Sequence, residues 1–233
     1  MTKVSKKDKN LWTYHQTDNA ENFIIGYPRQ DMLYQKISSL IKSGRLVEIG
    51  FGDAYLLNKL SKKYECCGAD ISKENVEQMR KNIKSIEFDI IDTNGRLPYK
   101  DNFFNGFIAS EVFEHMSDKE LRVAVGEMKR ILKSDGFAIL TFPAEERLKE
   151  AICYCPNCGK VFHRWGHKQS WNDNKIKKLF KGFKIITVKK FFTIYRGSCF
   201  KERIIGFMMY ALRNIADKFI DVPNKTYLVI LKK

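Results

Sequence analysis

Short apolar runs separated by amphipathic stretches mark out the first two thirds of the chain. Five runs have the length and composition of buried strands, at residues 46–49, 65–69, 85–91, 103–109 and 136–142. The stretches between them place apolar residues three or four positions apart, which is typical of helices that cover a sheet. Strands that alternate with helices predict an α/β fold with a doubly wound, mostly parallel sheet.

Capping residues predict where several helices begin and end. Pro28 is expected to open a helix before the first strand, and Gly44 is expected to end it. Ser72 is placed to cap the helix that follows the second strand. Ser117 and Glu120 have the spacing of a capping box, so a helix should begin there, after the fourth strand.

The last third of the chain is less regular. Residues 183–192 and 225–231 resemble strands, and a helix is expected to begin at Ser170-Trp171. A helical insert at residues 198–221 separates these two strands and carries many large apolar side chains. Charged residues interrupt it, so it is not expected to span a membrane. A cap over the active site, a dimer face and an interfacial membrane helix are the alternatives for this insert.

A glycine-containing turn follows the first predicted strand. Glu48 is followed by Gly50 and Gly52, and glycine lets the backbone turn sharply and approach a ligand closely. The next helix would direct its N-terminal amides at the same position. Tyr55 stands where a dinucleotide-binding fingerprint requires its third glycine, so that pattern fails. A glycine turn of some other α/β protein is the alternative to a cofactor-binding turn.

The acid, the two glycines and the small residue Ala54 resemble motif I of the class I S-adenosylmethionine (SAM) methyltransferases, with alanine in place of the last glycine. Further elements of that family follow in order over residues 46–143. They include an L-P-Y segment at 97–99 and a Glu-His pair at 114–115. The chain therefore resembles a class I SAM-dependent methyltransferase of the type 11/12-like kind.

This resemblance implies a single domain over residues 1–233, with a Rossmann-like sheet of seven strands whose last strand is antiparallel. It implies SAM as the cofactor, bound at the carboxyl ends of the strands. Acids on successive strands would hold the methionine end, the ribose and the adenine. The expected cofactor-binding residues are Glu48, Gly50, Phe51, Gly52, Asp53, Asp70, Ile71, Asp92, Thr93 and Glu111. His115 is the candidate catalytic base, with a purely structural role as the alternative.

Cysteine and histidine residues crowd together in an insert at residues 151–170. Cys155 and Cys158 form a C-x-x-C-G turn, and His163 and His167 follow at the spacing of a zinc knuckle with histidine in place of its final cysteine. Two thiolates and two imidazoles suit tetrahedral zinc, so a structural zinc ion is expected on these four residues. A redox C-x-x-C motif and a metal-free cluster are the alternatives. Some bacterial methyltransferases carry a similar insert.

Composition adds a second feature, an uneven charge. The chain has 233 residues, enough for one α/β domain, and its formal net charge is +15. Residues 151–233 carry 18 Lys and Arg against 4 Asp and Glu. Such a surface attracts nucleic acid, phosphates or an anionic membrane, and a merely solvated lysine-rich surface is the alternative. Met1 to Lys7 shows no signal-peptide pattern, so a cytoplasmic location is expected.

Three functions remain open. The first is methyl transfer to an O or N atom of a small metabolite, such as a saccharide or a lipid-linked intermediate. The family resemblance favours it, because this fold usually builds its substrate lid where the 151–170 insert lies. The second is an RNA methyltransferase that uses the basic last third, and the third is a non-catalytic SAM- and zinc-binding interaction protein. The chain lacks the N/D-P-P-Y/F signature of amino-methylating DNA enzymes, and Phe142-Pro143-Ala144 has no cysteine nucleophile after its proline.

Overall fold

The structure is a computed structural model that describes residues 24, 26–192, 200–220, 222 and 225–233, with residues 200–203 described by their backbone alone. The helical insert predicted at 198–221 is therefore described over 200–220. Its remaining residues lie outside the described part of the chain.

Helices and strands alternate as the apolar pattern predicts. Among the described residues, the α-helices are α1 (Tyr27–Leu40), α2 (Tyr55–Leu60), α3 (Lys73–Asn82), α4 (Asp118–Ile131), α5 (Asp173–Leu179) and α6 (Phe200–Ala216). The strands are β1 (Arg45–Ile49), β2 (Glu65–Asp70), β3 (Glu87–Ile90), β4 (Phe104–Ser110), β5 (Leu132–Pro143), β6 (Ile152–Tyr154), β7 (Val161–His163), β8 (Lys184–Phe191) and β9 (Thr226–Lys232). Short 3₁₀ turns occupy Phe113–His115 and Leu148–Ala151.

Seven strands form one mixed sheet in the order β3-β2-β1-β4-β5-β9-β8. Strands β1 to β5 pair in parallel, whereas β9 pairs antiparallel with both β5 and β8. The order reverses between β1 and β4, and open α/β sheets bind ligands beside such a switch point, outside the carboxyl ends of the strands. The predicted Rossmann-like sheet with an antiparallel last strand is confirmed.

Helices cover both faces of the sheet because successive strand residues point to opposite sides. Leu46 packs with the helices α1, α2 and α3, whereas its neighbour Val47 packs with α4 and α5. Both side chains are fully buried. The two cores fix the strand ends, and thereby the loops that leave them.

Capping predictions hold for two helices, whereas α1 ends at Leu40 with Ile41 as its C-cap and not at Gly44. The Ser72 hydroxyl accepts a hydrogen bond from the Asn75 N–H, and Ser117 forms the expected reciprocal capping box with Glu120. Helix α5, however, begins at Asp173 with Asn172 as its cap, not at Ser170-Trp171. Trp171 is instead fully buried and stacks on Phe142 at 4.1 Å between ring centres. Burial of this large apolar ring stabilises the segment before the helix.

Helix α6 presents its apolar side chains to solvent. Gly206 is buried, Tyr210 and Arg213 are half-buried, and the Arg213 guanidinium lies 5.5 Å from the centre of the Phe192 ring. The other sides of the helix and the turn after it carry exposed large apolar residues, namely Ile204, Ile205, Phe207, Met208, Met209, Leu212, Ile215, Phe219 and Ile220. A helix that packs on a core normally has the reverse arrangement. Within the described residues, no helix has the length and apolar character needed to cross a membrane.

Candidate active site

The turn after β1 has a backbone that approaches its surroundings closely. Gly50 and Gly52 have left-handed φ angles of 67° and 56°, and Ala54 has a φ of 59°. A Cβ on Gly50 would lie 2.7 Å from the Cγ2 atom of Val112, which is closer than real contacts allow. Only glycine fits this position, as the sequence predicts. Ala54 occupies the left-handed position where the family has its third glycine.

Glu48 lies at the start of this turn in a buried position. Its side chain is buried, and its Oε2 atom has no hydrogen-bond partner among the described residues. Burial, and to a lesser extent the charge of Asp53, raise the pKa of Glu48 well above its usual value. A buried carboxylate without a partner is costly, so this site favours a cationic ligand.

Asp53 is held by two tyrosines rather than left open to solvent. The Tyr27 hydroxyl donates to its Oδ2 atom at 2.7 Å, and the Tyr55 N–H donates to its Oδ1 atom at 3.2 Å. The two tyrosine rings stack at 3.8 Å between centres. Tyr27 therefore joins the start of α1 to the glycine turn, a contact that the sequence does not predict.

Asp70 and Asn75 fix the second part of the site. The Oδ1 atom of Asp70 accepts a hydrogen bond from the Ser72 N–H at 2.8 Å, at the carboxyl end of β2. The buried Asn75 side chain donates to the Gly52 carbonyl at 2.9 Å and so ties α3 to the glycine turn. Sequence reasoning missed Asn75, although its place three residues after the Ser72 cap is a signal for it.

The residues expected near adenine and ribose lie at the same edge. Asp92 and Thr93 are exposed after β3, and Ile71 is partly buried after β2. The Oδ1 atom of Asp92 accepts the N–H groups of Asn94 and Arg96, both at 2.8 Å. These bonds give the loop after β3 a defined shape beside the carboxyl end of β2.

Arg29 contacts the carboxyl end of β4. Its Nε atom donates to the Ser110 hydroxyl at 3.1 Å and lies 4.0 Å from a carboxylate oxygen of Glu111. Glu111 has a left-handed φ of 57°, a strained conformation for a residue with a side chain. Backbone strain of this kind is common at functional sites. Arg29 was not predicted from the sequence.

Glu114, His115 and His167 form a cluster just beyond β4, in which Glu114 is buried and the two histidines are partly buried. One ligand atom from each lies within 4.8 Å of the others, and the His115 Nε2 atom is 3.8 Å from a Glu114 oxygen. Glu114 is fully buried, and neither of its carboxylate oxygens has a hydrogen-bond partner among the described residues. Burial first, and then the charge of Glu111, raise the pKa of Glu114. Burial lowers the pKa of His115 to about 3.

Glu146 joins this cluster from the segment after β5. Its Oε2 atom lies 2.5 Å from the Nδ1 atom of His167, and its Oε1 atom lies 3.5 Å from the Nε2 atom of His163. The rings of His163 and His167 stack at 4.8 Å. Nothing in the sequence marked Glu146 among its neighbouring acids as a site residue.

The four residues predicted to bind zinc are not brought together. The hairpin of β6 and β7 pairs Ile152 with His163, and the Cys155 N–H bonds to the Lys160 carbonyl near the turn. Within the described residues, the groups of three or more potential ligands contain His163 and His167 but neither Cys155 nor Cys158.

The geometry fits SAM at the carboxyl ends of β1 and β2. The close approach at Gly50 gives a backbone cradle that a Cβ would fill, and the partnerless oxygen of Glu48 suits a positive charge. Asp70 lies at the end of the neighbouring strand, where this fold class places the ribose.

Residues 47–140, from β1 into β5, match the family model described as a methyltransferase domain. No curated protein matches the sequence. The fold is similar to many solved structures.

Three of these structures illustrate the similarity. A chain of the complex between the Haloferax volcanii Trm112 methyltransferase activator and a methyltransferase is 15% identical, with a TM-score of 0.64 over 95% of this chain and 96% of that one. A SAM-dependent methyltransferase from Methanosarcina mazei is 15% identical, with a TM-score of 0.61 over 85% and 96%. The [4+2]-cyclase SpnF is 18% identical, with a TM-score of 0.60 over 87% and 80%.

At such low identity the structural similarities show the fold, and the domain match adds the chemistry. The fold and the matched domain define the class: the chain is a SAM-dependent methyltransferase.

Proposed function

We propose that the protein transfers the methyl group of SAM to an O or N atom of a small acceptor molecule. The observation that carries this proposal is the cluster of Glu114, His115, Glu146 and His167 just beyond the carboxyl end of β4. It lies beside Ser110 and Glu111, on the side of the sheet edge that the acceptor would share with SAM. Imidazoles and carboxylates at this place can orient a hydroxyl or amine and accept its proton.

SAM supplies an electrophilic methyl group on a sulfonium, and the protein's own contribution is alignment and proton transfer. Glu48, Gly50 and Asp70 are proposed to hold the cofactor. His115 stays the candidate base, since its ring lies in the cluster and contacts Glu114. A structural role for His115 remains the alternative.

Methylation assays with radiolabelled SAM test this proposal. Fractionated small metabolites, lipid extract and total RNA are offered as separate acceptors, with Asp70→Ala as the variant that should bind the cofactor more weakly. Label in a small-molecule or lipid fraction that is reduced with Asp70→Ala at low SAM concentration supports the proposal. Label that enters only RNA, or no fraction at all, contradicts it.

The outward apolar face of α6 supports a lipid-linked acceptor at an anionic membrane surface. Its exposed residues include Phe207, Met208, Leu212 and Phe219, and the last third of the chain carries a large excess of Lys and Arg. Apolar side chains beside basic ones are typical of a helix that lies in the membrane interface. An RNA-binding face would instead be expected to combine basic side chains with aromatic stacking platforms.

Flotation with vesicles tests the membrane part. The full chain should float with vesicles that contain phosphatidylglycerol and much less with pure phosphatidylcholine. Phe207→Ser with Leu212→Ser should abolish flotation, whereas Asn214→Ser, an exposed change on the same helix, should not. Equal behaviour of both variants, or a concentration-dependent dimer that Phe207→Ser disrupts instead, would contradict membrane binding.

The RNA methyltransferase and the non-catalytic binder remain the competing functions. The first predicts RNA affinity that falls steeply with salt, because phosphate contacts release counterions. The second predicts SAM binding without turnover on any acceptor. The cyclase with the same fold illustrates that fold alone does not fix the reaction.

A structural zinc ion on Cys155, Cys158, His163 and His167 also stays a proposal. The N–H group and thiol of Cys158, together with the N–H of Asn157, lower the pKa of Cys155, which favours the thiolate that zinc requires. Zinc content of the wild type and of Cys158→Ser, both purified without chelators, tests it. Equal zinc in the two proteins would contradict a role for the thiols.

A further inference from the structure

We infer that Glu114, His115 and His167 form a binding site for a divalent transition-metal ion. Because one imidazole nitrogen binds one ion, this site competes with the proposed zinc site on Cys155, Cys158, His163 and His167, and it does not use the two thiols. The three side chains offer one ligand atom each within 4.8 Å of one another. Two imidazoles and one carboxylate are a donor set used for zinc and for iron(II), and they leave coordination positions open.

Glu114 gives the clearest sign of a missing ligand. Its side chain is only 1% exposed, and both carboxylate oxygens lack a hydrogen-bond partner among the described residues. Leaving a buried charged group unpaired is costly, and natural structures pair such groups or use them as metal ligands. Glu111 and Glu146 also act on Glu114 with negative charge, and Arg29 offsets part of it.

His167 is oriented as a metal-bound histidine would be. Its Nδ1 atom lies 2.5 Å from the Glu146 carboxylate, which fixes the proton on Nδ1 and leaves the Nε2 lone pair for a ligand. The Nδ1 atom of His163 accepts the N–H groups of Trp165 and His167 at 3.3 and 3.2 Å, so its own proton lies on Nε2, facing Glu146. Glu146 and His163 therefore position His167 and are not ligands in this arrangement.

His115 completes the set from the opposite side. Its ring is hydrogen-bonded to the backbone of Gly166, which fixes its orientation, and it meets the His167 ring edge-on at 4.8 Å between centres. Bond lengths of about 2.0–2.2 Å place neighbouring tetrahedral ligands roughly 3.4 Å apart. One ligand atom from each of the three side chains lies within 4.8 Å of the others, so small side-chain movements would bring them to that spacing.

This site would lie where the acceptor binds, and its role rests on the proposed function. A cation held there would polarise an acceptor oxygen or nitrogen and ease loss of its proton. His115 would then act as a ligand, which replaces its proposed role as the base. Metal binding itself requires neither SAM nor an acceptor, so the site can be tested independently of methyl transfer.

Cobalt(II) titration of the full metal-free chain, followed by visible absorption, is the test. The site has no sulfur ligand, so the wild type should bind one equivalent of cobalt without the intense near-ultraviolet absorption of cobalt thiolates. Zinc should displace it. Glu114→Gln and, separately, His167→Gln should weaken binding by more than roughly 100-fold, and Glu146→Gln by roughly 10- to 100-fold as a positioning residue.

The double variant Cys155→Ser/Cys158→Ser is the matched control and should bind cobalt as the wild type does. Circular dichroism verifies that each variant is folded, and the partly exposed His167 gives a readout even where a change at the buried Glu114 prevents folding. Thiolate absorption that disappears in the double variant would overturn the inference in favour of the Cys-His set. Failure of the wild type to bind cobalt would overturn it as well.

Discussion

Replacing Gly50 by alanine should disrupt the turn that holds the methionine end of SAM. Two independent features of the structure oppose a side chain at this position. The residue has a φ of 67°, which L-residues rarely adopt, and the new Cβ would lie 2.7 Å from the Cγ2 atom of Val112. Val112 is β-branched and stiff about χ1, so it cannot turn away without cost.

The magnitude follows from these two features. A left-handed conformation costs an L-residue about 1–2 kcal/mol. Inserting a methyl group into a packed position costs about 1–3 kcal/mol. Alanine also restricts the unfolded chain, which returns about 0.4–1 kcal/mol. The net loss should be about 3 kcal/mol, which corresponds to a decrease in Tm of roughly 6–12 °C for a chain of this size.

Gly126→Ala is the matched control because it makes the same chemical change in a different setting. Gly126 lies within α4, and no atom lies within 4 Å of the added Cβ. Alanine is the better helix former by about 1 kcal/mol, so this variant should be slightly more stable than the wild type. Thermal denaturation compares the stabilities, and calorimetry with S-adenosylhomocysteine, well below either Tm, compares cofactor affinity.

The double variant Gly50→Ala/Val112→Ala separates the two costs. Removing the valine methyls should recover the packing part of the loss but not the conformational part. A Gly50→Ala protein as stable as Gly126→Ala, with wild-type cofactor affinity, would refute the reasoning. No recovery in the double variant would refute the assigned contact with Val112.

Three further predictions concern the same site. Asn75→Ala should lower the free energy of unfolding by about 1–3 kcal/mol in urea titrations, because the buried Gly52 carbonyl loses its donor; no change would contradict this. Asp70→Ala should weaken SAM binding in calorimetry by about 1–3 kcal/mol, with Asp70→Asn, which keeps an acceptor for the Ser72 N–H, as the control for local structure. SAM affinity should rise with pH through the raised pKa of Glu48, because only the carboxylate attracts the cation, and Glu48→Gln should remove this dependence; a profile that the substitution leaves unchanged would exclude Glu48.

Local patterns made much of the fold predictable. Alternating apolar runs and helical periods depend on neighbouring residues, and so do the caps at Ser72 and Ser117. The turn at Gly50 and Gly52 is equally local, since glycine is the residue that most readily adopts the left-handed φ angles found there. Helix boundaries were predicted wrongly where tertiary packing decides them. Trp171 was expected in the first turn of a helix, but it is fully buried in the core before the helix begins.

The acceptor side of the site was only partly predictable because its contacts join distant segments. Arg29 reaches Ser110 across 81 positions, and Glu146 reaches His167 across 21. No period or spacing encodes such a contact. The two cysteines illustrate the opposite difficulty: Cys155 and Cys158 have the spacing of a zinc knuckle, but no group of three or more potential ligands among the described residues includes them.

Although the chain is strongly basic, buried acidic residues lie at the carboxyl ends of its central strands. The net charge is +15, yet Glu48 and Glu114 are buried with partnerless oxygens at or just beyond the carboxyl ends of β1 and β4. Burying each carboxylate costs free energy, and the contacts among the described residues do not offset that cost. A sulfonium or ammonium beside Glu48 and a metal ion beside Glu114 would each offset that cost. The same physical argument therefore leads from two unpaired carboxylates to the cofactor at one end of the site and to the inferred metal at the other.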